Sequence, residues 1–526
     1  MQKIISLKLL PSEAASEQLV KKYLAVAAAV KTNSVSGYNI LKQSIDARGK
    51  QVWIHLIAQT FINEPWHQRE ILSFSFRDVR KASRKAVIIG AGPAGLFAAL
   101  KLIEAGIKPI ILERGKDVKA RRRDLALLNK EGELNPESNY CFGEGGAGTY
   151  SDGKLYTRSS KRGDVNRILN LFVHFGAEEK ILYEAHPHIG TNKLPHIITA
   201  IRKKILDCGG EFLFEKKATD FIIQAENITG VKTSDGDILE ADAYILATGH
   251  SARDIFQLLY AKKVLIESKP FALGVRVEHP QSLIDSAQYH CAVRNEFLPP
   301  ASYSLVQQVS GKGVFSFCMC PGGIIAPAAT GQNELVVNGW SPSKRNNPYA
   351  NSGMVVSVDQ KDAAKFFRNR DPGNDPLLLM KFQQLVEQKA FIAGGGKFVA
   401  PAQRLVDFAE SKPSSSLPDC SYLPGIHSSS LNEIFPDFIF SGLQQAFKEF
   451  GKKMKGFFTN DAVVVATESR TSSPVRIPRN NETLQHPQIK NLYPCGEGAG
   501  YAGGIVSAAM DGERVANQVA VRLQSN

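Results

Sequence analysis

The stretch Val87-Ile88-Ile89-Gly90-Ala91-Gly92-Pro93-Ala94-Gly95 constrains this chain more than any other. It is G-x-G-x-x-G, set between an apolar strand from Ala86 to Ile89 and a helix from Pro93 to Glu104. Gly90 allows a tight turn, Gly92 lets the backbone approach a pyrophosphate, and Gly95 lets the helix lie close on the strand. The helix N-terminus offers unpaired N–H groups and partial positive charge to phosphates. Pro109 to Leu112 reads as the next buried strand, and a strand–helix–strand unit demands a parallel sheet with a crossover. Glu113 follows it, 18 residues after Gly95. A carboxylate there suits ribose hydroxyls and repels a 2′-phosphate, which disfavours NADP at this site. The expected fold class is therefore α/β with a Rossmann-like dinucleotide-binding domain.

A second glycine-dense strand-to-helix turn lies near the C-terminus, at Tyr493-Pro494-Cys495-Gly496-Glu497-Gly498-Ala499-Gly500-Tyr501-Ala502-Gly503-Gly504-Ile505. No ordinary second Rossmann unit follows it. The segment resembles the C-terminal flavin motif of two-dinucleotide-binding-domain flavoproteins. That resemblance implies FAD, with Gly496 among the cofactor-binding residues, Glu497 at the ribityl chain and Gly503, Gly504 and Ile505 at the ring edge. A helix N-terminus there favours an anionic reduced flavin. Ile245-Leu246-Ala247-Thr248-Gly249 resembles a strand of the same superfamily that passes near FAD, so Thr248 and Gly249 join the expected set.

Cys141-Phe142-Gly143-Glu144-Gly145-Gly146-Ala147-Gly148-Thr149-Tyr150-Ser151-Asp152-Gly153-Lys154-Leu155 is a third segment. With Glu468 to Arg476 and the C-terminal turn, it resembles an uncharacterised bacterial family of FAD-dependent, or NAD(FAD)-utilising, dehydrogenases. The resemblance runs over most of the chain. By position it places Gly146, Gly148, Thr149, Ser151 and Lys154 along the pyrophosphate or isoalloxazine. A basic residue after Glu113 neutralises the pyrophosphate in related flavoproteins. Arg114 and the run Lys116, Lys119, Arg121, Arg122 and Arg123 supply candidates, the rest of that run reading as a solvated helix face.

Texture along the chain divides it further. Residues 1–80 read as a small β-α-β-β module, and 84–265 as the first part of the FAD-binding domain. Residues 266–468 are dominated by strand patterns and read as an inserted, mostly β (α+β) cap or substrate domain. Residues 469–526 return to the parallel-sheet texture.

Chemistry outside the cofactor is less sharply marked. In Phe317-Cys318-Met319-Cys320-Pro321, a regular strand puts both thiols on one side, with Cα atoms about 6.5 Å apart and side chains parallel. That disfavours a disulfide, although a bulge before Pro321 permits one. The pair reads either as thiols facing the flavin or a soft electrophile, or as two small core residues. Arg470 and Arg476 precede the C-terminal turn and suit an anionic substrate or the flavin carbonyls, against the alternative of ion pairing. His250 follows Gly249 and reads as structural. His186 and His188 lack further ligands, so no metal is expected.

The balance of 64 basic and 51 acidic residues gives +13, spread along the chain with a single dense run at Arg114 to Arg123. Even spread argues against nucleic acid and for plain solubility. Seven scattered cysteines are no disulfide framework, and no apolar run of spanning length occurs, so a soluble, cytoplasmic protein away from membranes is expected. Together these readings describe an FAD-dependent oxidoreductase. It would pass hydride between an unidentified small molecule and flavin N5, with an external donor such as NAD(P)H as a further partner. The alternatives are a flavin-dependent tRNA-modifying enzyme and a flavin-containing binding protein.

Overall fold

A computed structural model describes residues 1–157, 163–368 and 375–525. The chain opens with the strand Gln2–Leu9, a short helix Pro11–Ala14 and the helix Glu17–Ala28, followed by strands Val35–Asp46 and Trp53–Ile62. The last strand lies between the other two, antiparallel to both. Ser16 caps the main helix by accepting from the Leu19 amide, and Ala29 ends it in the left-handed conformation. Val20, Leu24 and Ala28 of that helix bury against Leu56, Ala58 and Ile62.

The dinucleotide-binding sheet has five parallel strands. Their order is Leu492–Pro494, Ala243–Leu246, Lys85–Ile89, Lys108–Leu112 and Glu211–Leu213. Val87, Ile88, Tyr244 and Ile245 are fully buried, as expected for a sheet covered on both faces. Helix Pro93–Glu104 crosses the C-terminal helix Ile505–Ser525 closely. Gly512 makes that crossing possible, since a Cβ there would sit 2.1 Å from the Ala94 carbonyl oxygen.

The seven-stranded sheet of residues 271–468 has the order Val306–Val309, Lys312–Cys320, Tyr349–Val358, Phe271–Pro280, Val463–Glu468, Ala400–Arg404 and Ile426–Ser428. Its first and last strands in sequence are antiparallel neighbours. Just outside them Glu267–Ser268 pairs with Val475–Arg476, so the chain leaves and re-enters the dinucleotide-binding domain at one place. Helix Asp437–Lys453 covers one face through Leu443, Phe447 and Phe450, which join Val275, Val314 and Val356 in the largest core. Among the described residues no helix is long and apolar enough to cross a membrane.

Candidate functional site

The first glycine turn follows the sheet edge as its sequence requires. Gly90 has φ +110°, and a Cβ on it would lie 2.4 Å from the Ala247 carbonyl oxygen. Gly95 sits beneath the turn rather than in the cleft, its missing Cβ leaving room for the Gly90 carbonyl. Gly92 is the N-cap and Pro93 the first helical residue, so the helix end opens without a side chain over it. Gly146 backs against Gly92, where an added Cβ would approach its Cα to 3.1 Å. Two glycine-rich turns thus face each other across the mouth of the helix.

Glu113 does more than wait for a ribose. Its carboxylate accepts from the amides of Ala91 (3.0 Å), Gly115 (2.9 Å) and Gly143 (2.9 Å), pinning three glycine-bearing loops together. Oε2 takes the Ala91 amide, and a carboxylate oxygen accommodates two donors, so acceptor capacity remains on the cleft side. Arg114 lies over the Phe142 ring at 4.0 Å and is paired with Glu137 and Asp254. It walls the cleft without offering a free cation.

Arg121 corrects the reading of its run as solvated. It is fully buried and donates to the carbonyls of Asn139, Tyr140 and Glu144, clasping the 139–149 loop from behind. Thr149 is corrected too. It lies behind that loop, with its hydroxyl donated to the Glu144 carbonyl, and does not line the cleft. Gly146, Gly148, Ser151 and Lys154 do line it.

From the C-terminal side come Gly496, Glu497, Gly503, Gly504 and Ile505. Glu497 is held by the Ser473 amide at 3.0 Å, and burial pushes its carboxyl above the ordinary value. Gly498 packs on Gly249, where a Cβ would meet the carbonyl oxygen at 2.5 Å. Thr248 and Gly249 complete this wall, with the Thr248 hydroxyl buried and without a hydrogen-bond partner.

The seven-stranded sheet and its flanks close the remaining side with Phe317, Cys318, Asn338, Arg470 and Thr471. Arg470 is no free anion receptor. Its Nε and Nη2 bind the two oxygens of Glu387 at 2.8 and 2.9 Å, and Glu387 also takes Arg253 at 2.8 Å and the Ser469 hydroxyl at 2.6 Å. Glu334 pairs with both arginines. Arg476 is exposed, lies outside the cleft and approaches the Tyr501 ring at 5.9 Å, which removes it from the expected catalytic set. His250 does reach the cleft. Burial, with the Arg470 and Arg253 cations beside it, pulls its imidazole down to about 3, so it stays neutral. No cluster of His, Cys, Asp and Glu among the described residues could hold a metal ion.

Cys318 and Cys320 are free and do not share a regular strand geometry. Phe317 pairs with Gly353 and Cys320 with Asn351, so three steps on one strand match two on its neighbour. The extra residue is a bulge, and Cys318 within it has φ +46°. Cys318 faces the cleft, whereas Cys320 is fully buried behind it.

Comparison with known proteins follows the same division. A family model described as FAD-dependent protein, C-terminal domain-like, matches residues 270–471. One described as pyridine nucleotide-disulphide oxidoreductase matches 84–256, and a domain of unknown function matches 1–61. An uncharacterized protein of Clostridium beijerinckii is 39% identical over 506 residues, covering 92% of each chain. The chain belongs to this uncharacterised family of FAD-dependent proteins. The thiamine thiazole synthase of Aeropyrum pernix is 26% identical over 207 residues, covering 36% of this chain and 64% of that one. Among solved structures, a geranylgeranyl bacteriochlorophyll reductase-like protein of Thermoplasma acidophilum superposes with a TM-score of 0.35 at 13% identity. That match covers 84% of this chain and 80% of the other.

The cofactor of this family member is FAD, and the protein is a flavin oxidoreductase. The cleft fits the group on its own terms. The side-chain-free cradle of Gly90, Gly92 and Gly146 accepts a pyrophosphate against a helix end, and the orphaned Thr248 hydroxyl needs a partner that only a bound molecule or water supplies. Asn338, Lys217 and Asp254 also stand in the cleft wall and were missed in the sequence. None carries a local pattern, and each arrives through long-range packing.

Proposed function

We propose that this FAD-dependent oxidoreductase passes a hydride between an unidentified small molecule and flavin N5 at the seam of the dinucleotide-binding domain and the 271–468 sheet. A single observation carries the reading. Both glycine-rich nucleotide turns, Phe317 and Cys318 of the inserted sheet, and Asn338 of the neighbouring strand Val337–Trp340 line one cleft. FAD, when bound, supplies the two-electron chemistry.

The chain's own residues supply placement and electrostatics. Gly90, Gly92 and Gly146 let the backbone close on the pyrophosphate, and the Pro93 helix end offers it amides. The Ile505–Ser525 helix presents its N-terminus to the opposite end of the cleft, favouring negative charge there. Lys154 adds a cation to the same space. Glu497 and Thr248 provide an acceptor and a hydroxyl for the sugar-like chain between the two ends. The 271–468 sheet excludes water from that end and shapes the substrate space.

The test is anaerobic. Purified protein should be yellow, bleach on stoichiometric reduction or on accepting hydride from NAD(P)H, and recover its colour with a defined small-molecule oxidant. A colourless chain that refuses added FAD would overturn the reading. Salt-sensitive binding of tRNA, with flavin turnover dependent on it, would replace it by the tRNA-modifying alternative.

A further inference from the structure

We propose that Cys318 and Cys320 form a redox-active dithiol that exchanges two electrons with the bound flavin across the cleft. This rests on the flavoenzyme reading above and adds a second redox centre to it.

A regular strand would put both thiols on the same side. Here the strand departs from regularity at the pair itself. The bulge adds one residue between Phe317 and Cys320, and Cys318 adopts a left-handed backbone that a residue with a Cβ rarely holds. The distortion is braced from several sides. The Cys320 thiol donates to the Cys318 carbonyl oxygen at 3.3 Å, Arg276 donates to the same oxygen at 3.4 Å, and Lys154 donates to the Met319 carbonyl. Arg276 is itself fixed by Glu468 at 2.7 Å and Asn351 at 2.6 Å, all three fully or almost fully buried. The result is one thiol in the cleft and its neighbour directly behind, within hydrogen-bonding reach of it.

Charge around the pair has the sign that thiolate chemistry needs. Lys154 and Arg276 are the nearest cations, and Asp152 is drawn off by a two-pronged pair with Arg345 at 3.1 and 2.6 Å. The adjacent Cys320 thiol lowers the Cys318 thiol, burial and the Asp152 carboxylate oppose it, and the two cations assist the lowering. Cys320 moves the other way and keeps its proton. A thiolate open to the cleft with a protonated thiol behind it matches an attacking and a resolving cysteine.

The electron count closes within the protein. The Cys318 thiolate and the Cys320 thiol lose two electrons and one proton and form an S–S bond. Oxidised FAD takes both electrons and that proton and leaves as the anionic reduced form. Charge is −1 before and after. The reverse reaction restores thiolate and thiol.

The experiment uses the full-length holoprotein. Air-oxidised protein is denatured under acid quench, alkylated, and mapped by mass at the peptide holding Cys318 and Cys320. Anaerobic dithionite titration of the native holoprotein counts electrons per flavin. The expected result is a peptide lacking two hydrogens and resistant to alkylation before reduction, with both thiols alkylated after it. The titration should take about four electron equivalents per flavin, falling to about two in Cys320→Ser. Wild-type protein that takes about two equivalents, with both thiols alkylated in the air-oxidised sample, overturns the proposal while leaving the flavin reading intact. Absence of bound FAD would instead remove the flavin reading. The peptide map needs no variant, so a poorly folding Cys320→Ser chain leaves the test decisive.

Discussion

Glu387→Gln should destabilise the protein far more than an uncharged replacement at an ordinary position. Glu387 is fully buried and accepts four charged or hydroxyl donors from Arg253, Arg470 and Ser469. Two arginines face two carboxylates in this cluster, Glu334 being the second. Glutamine keeps the shape and removes one charge, leaving one buried guanidinium uncompensated. Breaking a buried pair in this way costs about 3–5 kcal/mol. The carboxyl's own titration gives a figure of the same order. Burial alone would raise it, but Arg253 and Arg470 outweigh burial and hold it down to about 2. An unfolded glutamate titrates near about 4.3, so the difference corresponds to about 3 kcal/mol. The sign follows from the depressed folded value. The contribution is complete above about pH 4.3 and is lost as pH falls through about 2. Urea unfolding of wild type and Glu387→Gln should therefore differ by about 3 kcal/mol or more at pH 7, and the gap should close between about pH 4 and pH 2. Glu410→Gln, which removes an exposed pair with Lys412, should leave the urea midpoint almost unchanged. A Glu387→Gln effect no larger than that of Glu410→Gln at pH 7 would refute the reasoning.

Gly90→Ala should yield protein without flavin absorbance, because φ +110° and the Ala247 carbonyl at 2.4 Å leave no room for a methyl group. Thr248→Val removes a hydroxyl that has no protein partner, so apo stability should hold within about 0.5 kcal/mol while FAD affinity falls roughly fivefold, read by flavin fluorescence. Arg476→Ala should leave FAD affinity and the rate of flavin reduction within about twofold, and a tenfold loss would return Arg476 to the site.

The cofactor site was legible in the sequence because its demands are local. Gly90 and Gly146 answer to positive φ, Gly95 to the Gly90 carbonyl five residues before it, and the G-x-G-x-x-G spacing between strand and helix is itself a local pattern. Arg121 was legible and misread. Val118, Arg121, Leu125 and Leu128 form the buried stripe of their helix, and the spacing of three, four and three was present beneath the charge. Period two failed at Cys318 for the opposite reason. A bulge is set by pairing with Gly353 and Asn351 on a strand more than thirty residues away, and nothing near Phe317 announces it. Arg470 and Arg476 read alike in the sequence and differ only through their partners. Glu387 and Glu334, which claim Arg470, lie 83 and 136 residues from it.

Those distances explain why charge sits at this seam. Arg253 opens a helix of the dinucleotide-binding domain, Glu387 belongs to a helix packed on the inserted sheet, and Arg470 lies where the chain crosses back. Leucines in the three places could bury as much surface, yet apolar packing tolerates a shift of an ångström that a two-pronged guanidinium–carboxylate pair does not. The pair's geometry is transmitted directly, since Arg470 and its neighbour Thr471 line the cleft opposite the Thr248 and Gly249 wall. Desolvating four charges is the cost of a two-pronged tie between the dinucleotide-binding domain and the inserted region. It acts together with the other ties across the seam, Lys154 to the Met319 carbonyl and Arg345 to Asp152.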